Sequence, residues 1–285
     1  MERTTTEGGS QYLEPNDRIA VFDNDGTLWT EHPAYNQFLF AIDRLKAMAQ
    51  DHPEWTDDPI LGAVLTGDMA AFGKTGMKGL VTLVMTTHAG VTTEEFGEIV
   101  RDWVATAHHP VFQRPYPATA FKPMVELLGY LRANGYSTFI VSGGGVEFMR
   151  AFTQDAYGIP PEQVIGSTGK TEFRMVDGAP VLVKLPEMDA VNDGPGKPVG
   201  IEKFLGRRPV IAIGNSDGDL EMLQYTAAGD GPRFMALVHH DDADREAAYD
   251  QGATFGALDK ALVEARNRGW TVISMKDDFR GIFVD

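Results

Sequence analysis

Four short polar motifs hold the residues of this chain that could do chemistry. The first is Asp23-Asn24-Asp25-Gly26-Thr27, which follows the apolar run Ile19-Ala20-Val21-Phe22. Two carboxylates one residue apart leave a strand end, with a glycine supplying the turn. One can act as nucleophile and metal ligand while the other handles protons. A solvated acidic turn is the plainer alternative. A calcium loop is excluded, because Leu28 stands where such a loop needs Gly and Ala34 where it needs Glu. The second motif, Ser142-Gly143-Gly144-Gly145, offers a hydroxyl and backbone N–H groups at an expected helix start, which suits a phosphate oxygen. It equally suits a simple chain turn, and it is no dinucleotide fingerprint, since Phe148 occupies the third glycine position. The third is Lys197 in Gly194-Pro195-Gly196-Lys197-Pro198, ahead of an expected helix Val199–Leu205; alone it reads equally as a surface charge. The fourth, Gly214-Asn215-Ser216-Asp217-Gly218-Asp219, is another acidic strand end or an acidic helix cap.

The elements that must position these residues follow from hydrophobic pattern. Ile19–Phe22, Ser137–Val141 and Pro209–Ile213 are short, β-branched and turn-bounded, as buried parallel strands are. Helical stripes lie between them: Met124, Leu127, Leu128 and Leu131, then Val146, Met149 and Phe152. Alternating strands and helices predict an α/β, doubly wound, Rossmann-like parallel sheet with ligands beyond the carboxyl ends of its strands. All three strands carry their polar motifs at that end, so those motifs could converge in space. Residues 29–114 differ: Tyr35, Phe38, Leu39, Ile42 and Leu45 form one amphipathic face, and Phe96, Ile99, Val100, Trp103 and Val104 another. This predicts a mostly helical cap inserted after the first strand, with residues 1–28 and 115–285 as the core. Residues 166–196 form a smaller insertion read as a hairpin turning at Asp177-Gly178. Met1–Arg18 reads as a loose leader. His239-His240-Asp241-Asp242, after the apolar run Phe234–Val238, fits a helix start better than a strand end at the site, and Trp270–Met275 reads as an extra strand.

Taken in order, the motifs resemble those of the haloacid dehalogenase superfamily, in its phosphoserine phosphatase-like branch. Asp23-x-Asp25-Gly-Thr27 matches the first family motif, Val141-Ser142-Gly143-Gly144 the second, Lys197 the third and Gly214-Asn215-x-x-x-Asp219 the fourth. The resemblance spans about Ile19 to Met222. It implies a phosphomonoester hydrolase. Asp23 attacks phosphorus to form an aspartyl-phosphate, and Asp25 first protonates the leaving alkoxide and then deprotonates water. It also implies a Mg²⁺ cofactor on Asp23, the Asp25 carbonyl and Asn215. Ser142, Gly143 and Lys197 hold the phosphoryl oxygens, Asp219 orients Lys197, and Asp217 is an alternative ligand. Two positions depart from the family. Asn215 stands where Asp is usual, and the Glu that reads the phosphoserine amine is replaced by His32, with Glu31 one residue early.

Composition narrows the field further. The 285 residues carry a formal net charge of −16 and no cysteine. Such a surface repels nucleic acid and anionic lipid, and thiolate chemistry is excluded. The expected partner is a small phosphorylated metabolite, with phosphoserine one candidate, neither nucleic acid nor membrane, and an oligomeric state the sequence does not fix. As written the chain is expected in the cytoplasm, an exported form from a longer precursor being the alternative. Competing activities are a phosphotransferase or mutase, which differs only in the acceptor, and a non-catalytic phosphate binder. A dehalogenase needs no acid for a halide, so Asp25 argues against it.

Overall fold

The computed structural model describes residues 1–285. Its strands are β1 (Ile19–Phe22), β2 (Ser137–Gly145), β3 (Val164–Val176), β4 (Ala179–Ala190), β5 (Ile211–Gly214), β6 (Phe234–His239) and β7 (Thr271–Ser274). They form one sheet in the order β4-β3-β2-β1-β5-β6-β7. Every pairing is parallel except the β3–β4 hairpin. The chain steps from β1 to one side and later returns to the other, so β1 lies at the topological switch where α/β sheets open a crevice.

Buried parallel strands need apolar side chains on both faces, and alternation sends neighbours to opposite sides. Ala20, Phe22, Ile140, Val164, Ile211 and Ile213 join the larger core cluster on one face. Ile19, Val21, Val141, Ile165 and Ala212 join a second cluster on the other. Two apolar layers around one sheet establish the doubly wound α/β class.

The helices are α1 (Glu2–Thr5), α2 (Asn36–Met48), α3 (Leu61–Thr66), α4 (Met69–Lys74), α5 (Gly76–His88), α6 (Thr93–Thr106), α7 (Lys122–Ala133), α8 (Val146–Arg150), α9 (Thr153–Tyr157), α10 (Gly196–Leu205), α11 (Leu220–Ala227), α12 (Lys260–Arg268) and α13 (Met275–Asp278). Helices α2 to α6 fill the stretch between β1 and β2 with no strand among them. Ala41, Leu45, Leu61, Val64, Phe72 and Leu83 pack there as a small cluster of their own. The ends of the insertion are continuous with the main core: Trp29, Phe96, Val100 and Val104 belong to the larger cluster. Helix α6 starts at a capping box in which Thr92 and Glu95 satisfy each other's backbone N–H groups. Strand β4 adds a second attachment, because Gly90 N donates to Lys184 O and Lys184 N donates to Val91 O, each at 2.9 Å.

Several expectations change. Met1–Arg18 is docked: the Thr4 hydroxyl lies 2.8 Å from Tyr136 Oη, and buried Arg18 donates to Leu13 O at 3.0 Å. Such one-off polar contacts leave no periodic trace in sequence. Strand β2 runs through the glycines to Gly145, so the second motif is a strand end and the helix begins only at Val146. Of the Val146, Met149 and Phe152 stripe, the first two lie in α8 and Phe152 lies in the turn that leads into α9. His239 closes strand β6, so the His-His-Asp-Asp segment is a strand end, placed by parallel pairing of β6 with β5 and β7. No helix is long and apolar enough to cross a membrane.

Candidate active site

Strand β1 ends at Phe22, and Asp23 N still donates to Ile213 O at 2.9 Å, which fixes the first carboxylate between β1 and β5. Gly26 then turns the chain at φ +72°. A side chain there is excluded twice over, since a Cβ would sit 2.1 Å from Asn215 Nδ2 and 2.4 Å from Glu31 Oε1. The turn is closed by backbone: Gly26 N donates to Trp29 O at 2.8 Å, and Leu28 N to Asn24 O at 2.8 Å.

The two aspartates point to different partners. Asp23 Oδ1 lies 2.9 Å from Lys197 Nζ. That approach is an ion pair without hydrogen-bond alignment, so this buried oxygen is left without a donor. Asp25 Oδ1 accepts a 2.7 Å hydrogen bond from Trp29 Nε1, and the Trp29 ring is itself stacked on Phe152 at 4.6 Å between centroids. The Asp25 carboxyl is thereby held aside from Asp23. Burial raises the Asp23 carboxyl to about 7, reinforced by the charge of Asp219 and opposed by Lys197. Burial likewise raises Asp25 to about 6, against the hydrogen bond from Trp29. A carboxyl near 6 can hold and release a proton near neutrality.

Lys197 sits in the first turn of α10, 1 % exposed. Besides Asp23 it reaches Asp219 Oδ1 at 2.5 Å. Burial alone would lower its pKa, but the Asp219 and Asp23 charges win and hold it above the ordinary lysine value. Asp219 Oδ2 in turn accepts from Asn215 N and Ser216 N, both at 3.0 Å. Asp219 is therefore a bracket between the lysine and the backbone of the fourth motif.

Ser142 is buried at the end of the inner part of β2, where its Oγ accepts from Gly144 N at 3.1 Å. No protein acceptor takes the hydroxyl proton, so it is free for a ligand oxygen. Gly143 contributes its carbonyl to Ser167 Oγ at 2.8 Å. Gly145 N donates to Gln37 Oε1 at 2.7 Å, which ties the first turn of α2 to the end of β2. Helix α2 thus lies over the carboxyl ends of the strands.

Asn215 is buried, with both ends of its amide engaged. Its Oδ1 accepts from Thr27 Oγ1 at 3.0 Å, and its Nδ2 donates to Glu31 Oε1 at 2.7 Å. Asp217 faces elsewhere: its Oδ1 accepts from Asp259 N at 3.0 Å and Ala261 N at 2.9 Å, capping α12. The structure brings together Asp23, Asp25, Ser142, Lys197, Asn215 and Asp219 and turns Asp217 away.

Several neighbours had no motif to announce them. Trp29 and Gln37 lie in the helical insertion. Asn192 donates from Nδ2 to Ser142 O at 2.9 Å. His240 Nε2 contacts Gly26 O at 2.7 Å, and its Nδ1 contacts Glu246 at 3.0 Å. The apolar run before His239 is the one sequence signal that could have placed His240 at a strand end.

A cation fits this chemistry. Asp23 and Asp219 share one lysine, with the Asp25 and Glu31 carboxyls close to Asp23, so acidic groups outnumber the cation beside them. No three His, Asp or Glu side chains converge as a ligand set by themselves. The available donors are a carboxylate, a backbone carbonyl and an amide oxygen, all hard oxygens of the kind Mg²⁺ takes with water completing the shell.

Comparison with known proteins is consistent with this fold. A family model described as haloacid dehalogenase-like hydrolase matches residues 20–224. No curated protein matches the chain. Among solved structures, a protein with unknown function from Bordetella pertussis Tohama I is similar at TM-score 0.57 and 15 % identity, covering 90 % of this chain and 97 % of that one. A conserved functionally unknown protein from Anaerococcus prevotii DSM 20548 gives TM-score 0.56 at 15 % identity, covering 95 % and 88 %. Both share the fold. A phosphoserine phosphohydrolase-like protein from Francisella tularensis subsp. tularensis SCHU S4 is a more distant match, at TM-score 0.42 and 20 % identity over 79 % and 88 % of the two chains.

Proposed function

The chain belongs to the haloacid dehalogenase-like hydrolases, and from that premise we propose that it is a Mg²⁺-dependent phosphomonoester hydrolase acting on a small phosphorylated metabolite. The observation that carries this reading is the division of labour between the two aspartates. Asp23 is paired with a buried lysine at 2.9 Å, while Asp25 is held by Trp29 at 2.7 Å and raised to about 6.

In this reading the Asp23 carboxylate attacks phosphorus opposite the leaving oxygen. An Asp23–phosphorus bond forms as the ester P–O bond breaks, and Asp25 gives its proton to the departing alkoxide. The resulting carboxylate of Asp25 then takes a proton from water as that water attacks phosphorus. This releases inorganic phosphate and restores Asp23. Lys197 and the Ser142 hydroxyl, with the Gly143 backbone beside it, hold the phosphoryl oxygens, and Asp219 keeps Lys197 charged and aimed. Asp23, the Asp25 carbonyl and Asn215 would hold Mg²⁺, which supplies positive charge against the repulsion between an anionic nucleophile and an anionic substrate. Helix α2, tied to Gly145 through Gln37, would serve as the part of the cap that shapes the substrate end of the site. Phosphoserine is disfavoured as substrate, because Glu31 is engaged by Asn215 and Tyr249 and packed under Gly26 and Gly256.

The test is hydrolysis of a generic aryl phosphate with and without Mg²⁺, followed by a screen of phosphorylated metabolites. Mg²⁺-dependent release of phosphate is expected. A purified, folded protein that binds phosphate esters without turning any of them over would leave the binding-protein reading in its place.

A further inference from the structure

Glu31 is a buried carboxylate with no part in the reaction outlined above. It is 2 % exposed. One oxygen, Oε1, accepts from Asn215 Nδ2 at 2.7 Å and from Tyr249 Oη at 2.8 Å. Neither donor is a cation, and no Lys, Arg or His forms an ion pair with it. The chain has also made room for it. A Cβ on Gly26 would lie 2.4 Å from Glu31 Oε1, and one on Gly256 would lie 1.8 Å from the same atom. Both glycines have positive φ, +72° and +65°, so the two turns wrap the carboxylate closely.

A buried carboxylate without a cation is costly. Its amide partner is Asn215, the residue that offers an oxygen and no charge. Asn215 Oδ1 accepts one bond, from Thr27, and keeps a second lone pair. Next to this pair lies Asp23, 7 % exposed, whose Oδ1 is paired only with Lys197, a lysine it shares with Asp219. One lysine thus answers two carboxylates, and negative charge at the same place exceeds the positive charge the chain supplies.

We propose that Glu31 supplies the carboxylate charge of the cation site. In this division Asn215 supplies the neutral oxygen, and the 2.7 Å hydrogen bond between them makes one acidic unit from two residues. Tyr249 holds that unit in place from the loop after β6. The inference rests on the cation-dependent reading above. It also alters what a change at Asn215 does. Asn215→Asp alone would set two carboxylates face to face at a position where an amide now donates, so it should weaken the folded protein before any cation is added.

The experiment measures binding, independent of turnover. Mn²⁺ binding by electron paramagnetic resonance and Mg²⁺ binding by calorimetry are compared for the native chain, Glu31→Gln, Asn215→Asp and the exchange Glu31→Gln/Asn215→Asp. Glu31→Gln should weaken Mn²⁺ binding about 10- to 100-fold, the range seen when a group supporting metal ligands is lost. The exchange returns the charge to the strand end and keeps an amide opposite a carboxylate, so it should recover affinity to within about threefold of native, a difference under ~1 kcal/mol. Unfolding in chelator confirms that each variant folds, and Tyr249→Phe, which leaves both members of the unit intact, serves as a milder second probe of the same carboxylate. Native-like Mn²⁺ affinity in Glu31→Gln overturns the proposal. So does weak binding in Glu31→Gln that the exchange fails to recover, because charge would then not be what was lost. If the native chain itself binds neither ion, the cation-dependent function fails instead, and the two failures are distinct.

Discussion

The crowding of carboxylates around Lys197 should make the cation-free protein lose stability as pH rises from 5 to 7. Asp23 has a folded pKa of about 7 against 3.8 in an unfolded chain, because burial and the Asp219 charge outweigh Lys197. Between those values the folded state keeps a proton that the unfolded state has released, so raising pH favours unfolding. This contribution is fully present below pH 3.8 and is lost as pH passes through about 7. At ~1.4 kcal/mol per pH unit, with the slope halving by the folded pKa, the two units from pH 5 to 7 give about 2 kcal/mol from this group. Glu31, raised by burial, acts in the same direction. His32, His88 and His109 are lowered by burial and act in the opposite direction, so the native profile alone does not isolate Asp23. Urea unfolding followed by tryptophan fluorescence in chelator, run for the native chain and Asp23→Asn, removes the histidine contribution by difference. The stability difference between the two should grow by about 2 kcal/mol in favour of Asp23→Asn from pH 5 to pH 7, and saturating Mg²⁺ should shrink it. Parallel profiles for the two proteins would show that Asp23 titrates as an ordinary carboxyl and would refute the electrostatic account of the site.

Asp23→Asn should also abolish turnover and any phosphoenzyme label on the intact fold; substantial activity in the purified variant would remove Asp23 from the role of nucleophile. Asp25→Asn should slow the phosphorylation step about 10²- to 10⁴-fold for alkyl phosphates and less for activated aryl phosphates, with single-turnover rates across a leaving-group series as the measurement; an equal loss across the series would exclude a general acid. Asp217→Ala should leave the Mg²⁺ requirement unchanged and lower stability by about 1 kcal/mol, because its carboxylate caps α12; a shifted Mg²⁺ titration would return Asp217 to the cation site.

What the sequence made legible was whatever is local. Apolar runs ending in acidic or glycine-rich turns announced the inner strands, because a strand buried on both faces must be apolar throughout. The ordered motifs brought Asp23, Asp25, Ser142, Lys197, Asn215 and Asp219 to one end of the sheet. The partners that tune these residues were not legible. Glu31 and Asn215 are 184 positions apart and meet through one hydrogen bond. Trp29 looked like any apolar residue at the edge of the cap, although its Nε1–H fixes Asp25. Asp217 and Asp219 share one turn and one residue type. Only the three-dimensional course of the turn sends the first to α12 and the second to Lys197.

The site also depends on chain that follows the fourth motif. His240 meets the carbonyl of Gly26 at 2.7 Å, and its ring stacks on Tyr249 at 4.4 Å between centroids. Tyr249 reaches Glu31, and Gly256 closes over the same carboxylate. Glu246 links His240 to Thr30 through its two oxygens. The contacts to Gly26, Thr30 and Glu31 land on a turn that carries no regular secondary structure of its own, and they add to the backbone bonds that close it and to the bond from Thr27 to Asn215. Strand β6 delivers the loop to that place because it pairs in parallel beside β5, so its carboxyl end opens on the same side as Asp23 and Asn215. The segment from His240 to Gly256 is therefore the wall that keeps the buried Glu31 carboxylate beside Asn215. If Glu31 supplies the charge of a cation site as proposed, changes in that wall should alter cation affinity while leaving Asp23, Asp25, Ser142 and Lys197 in place.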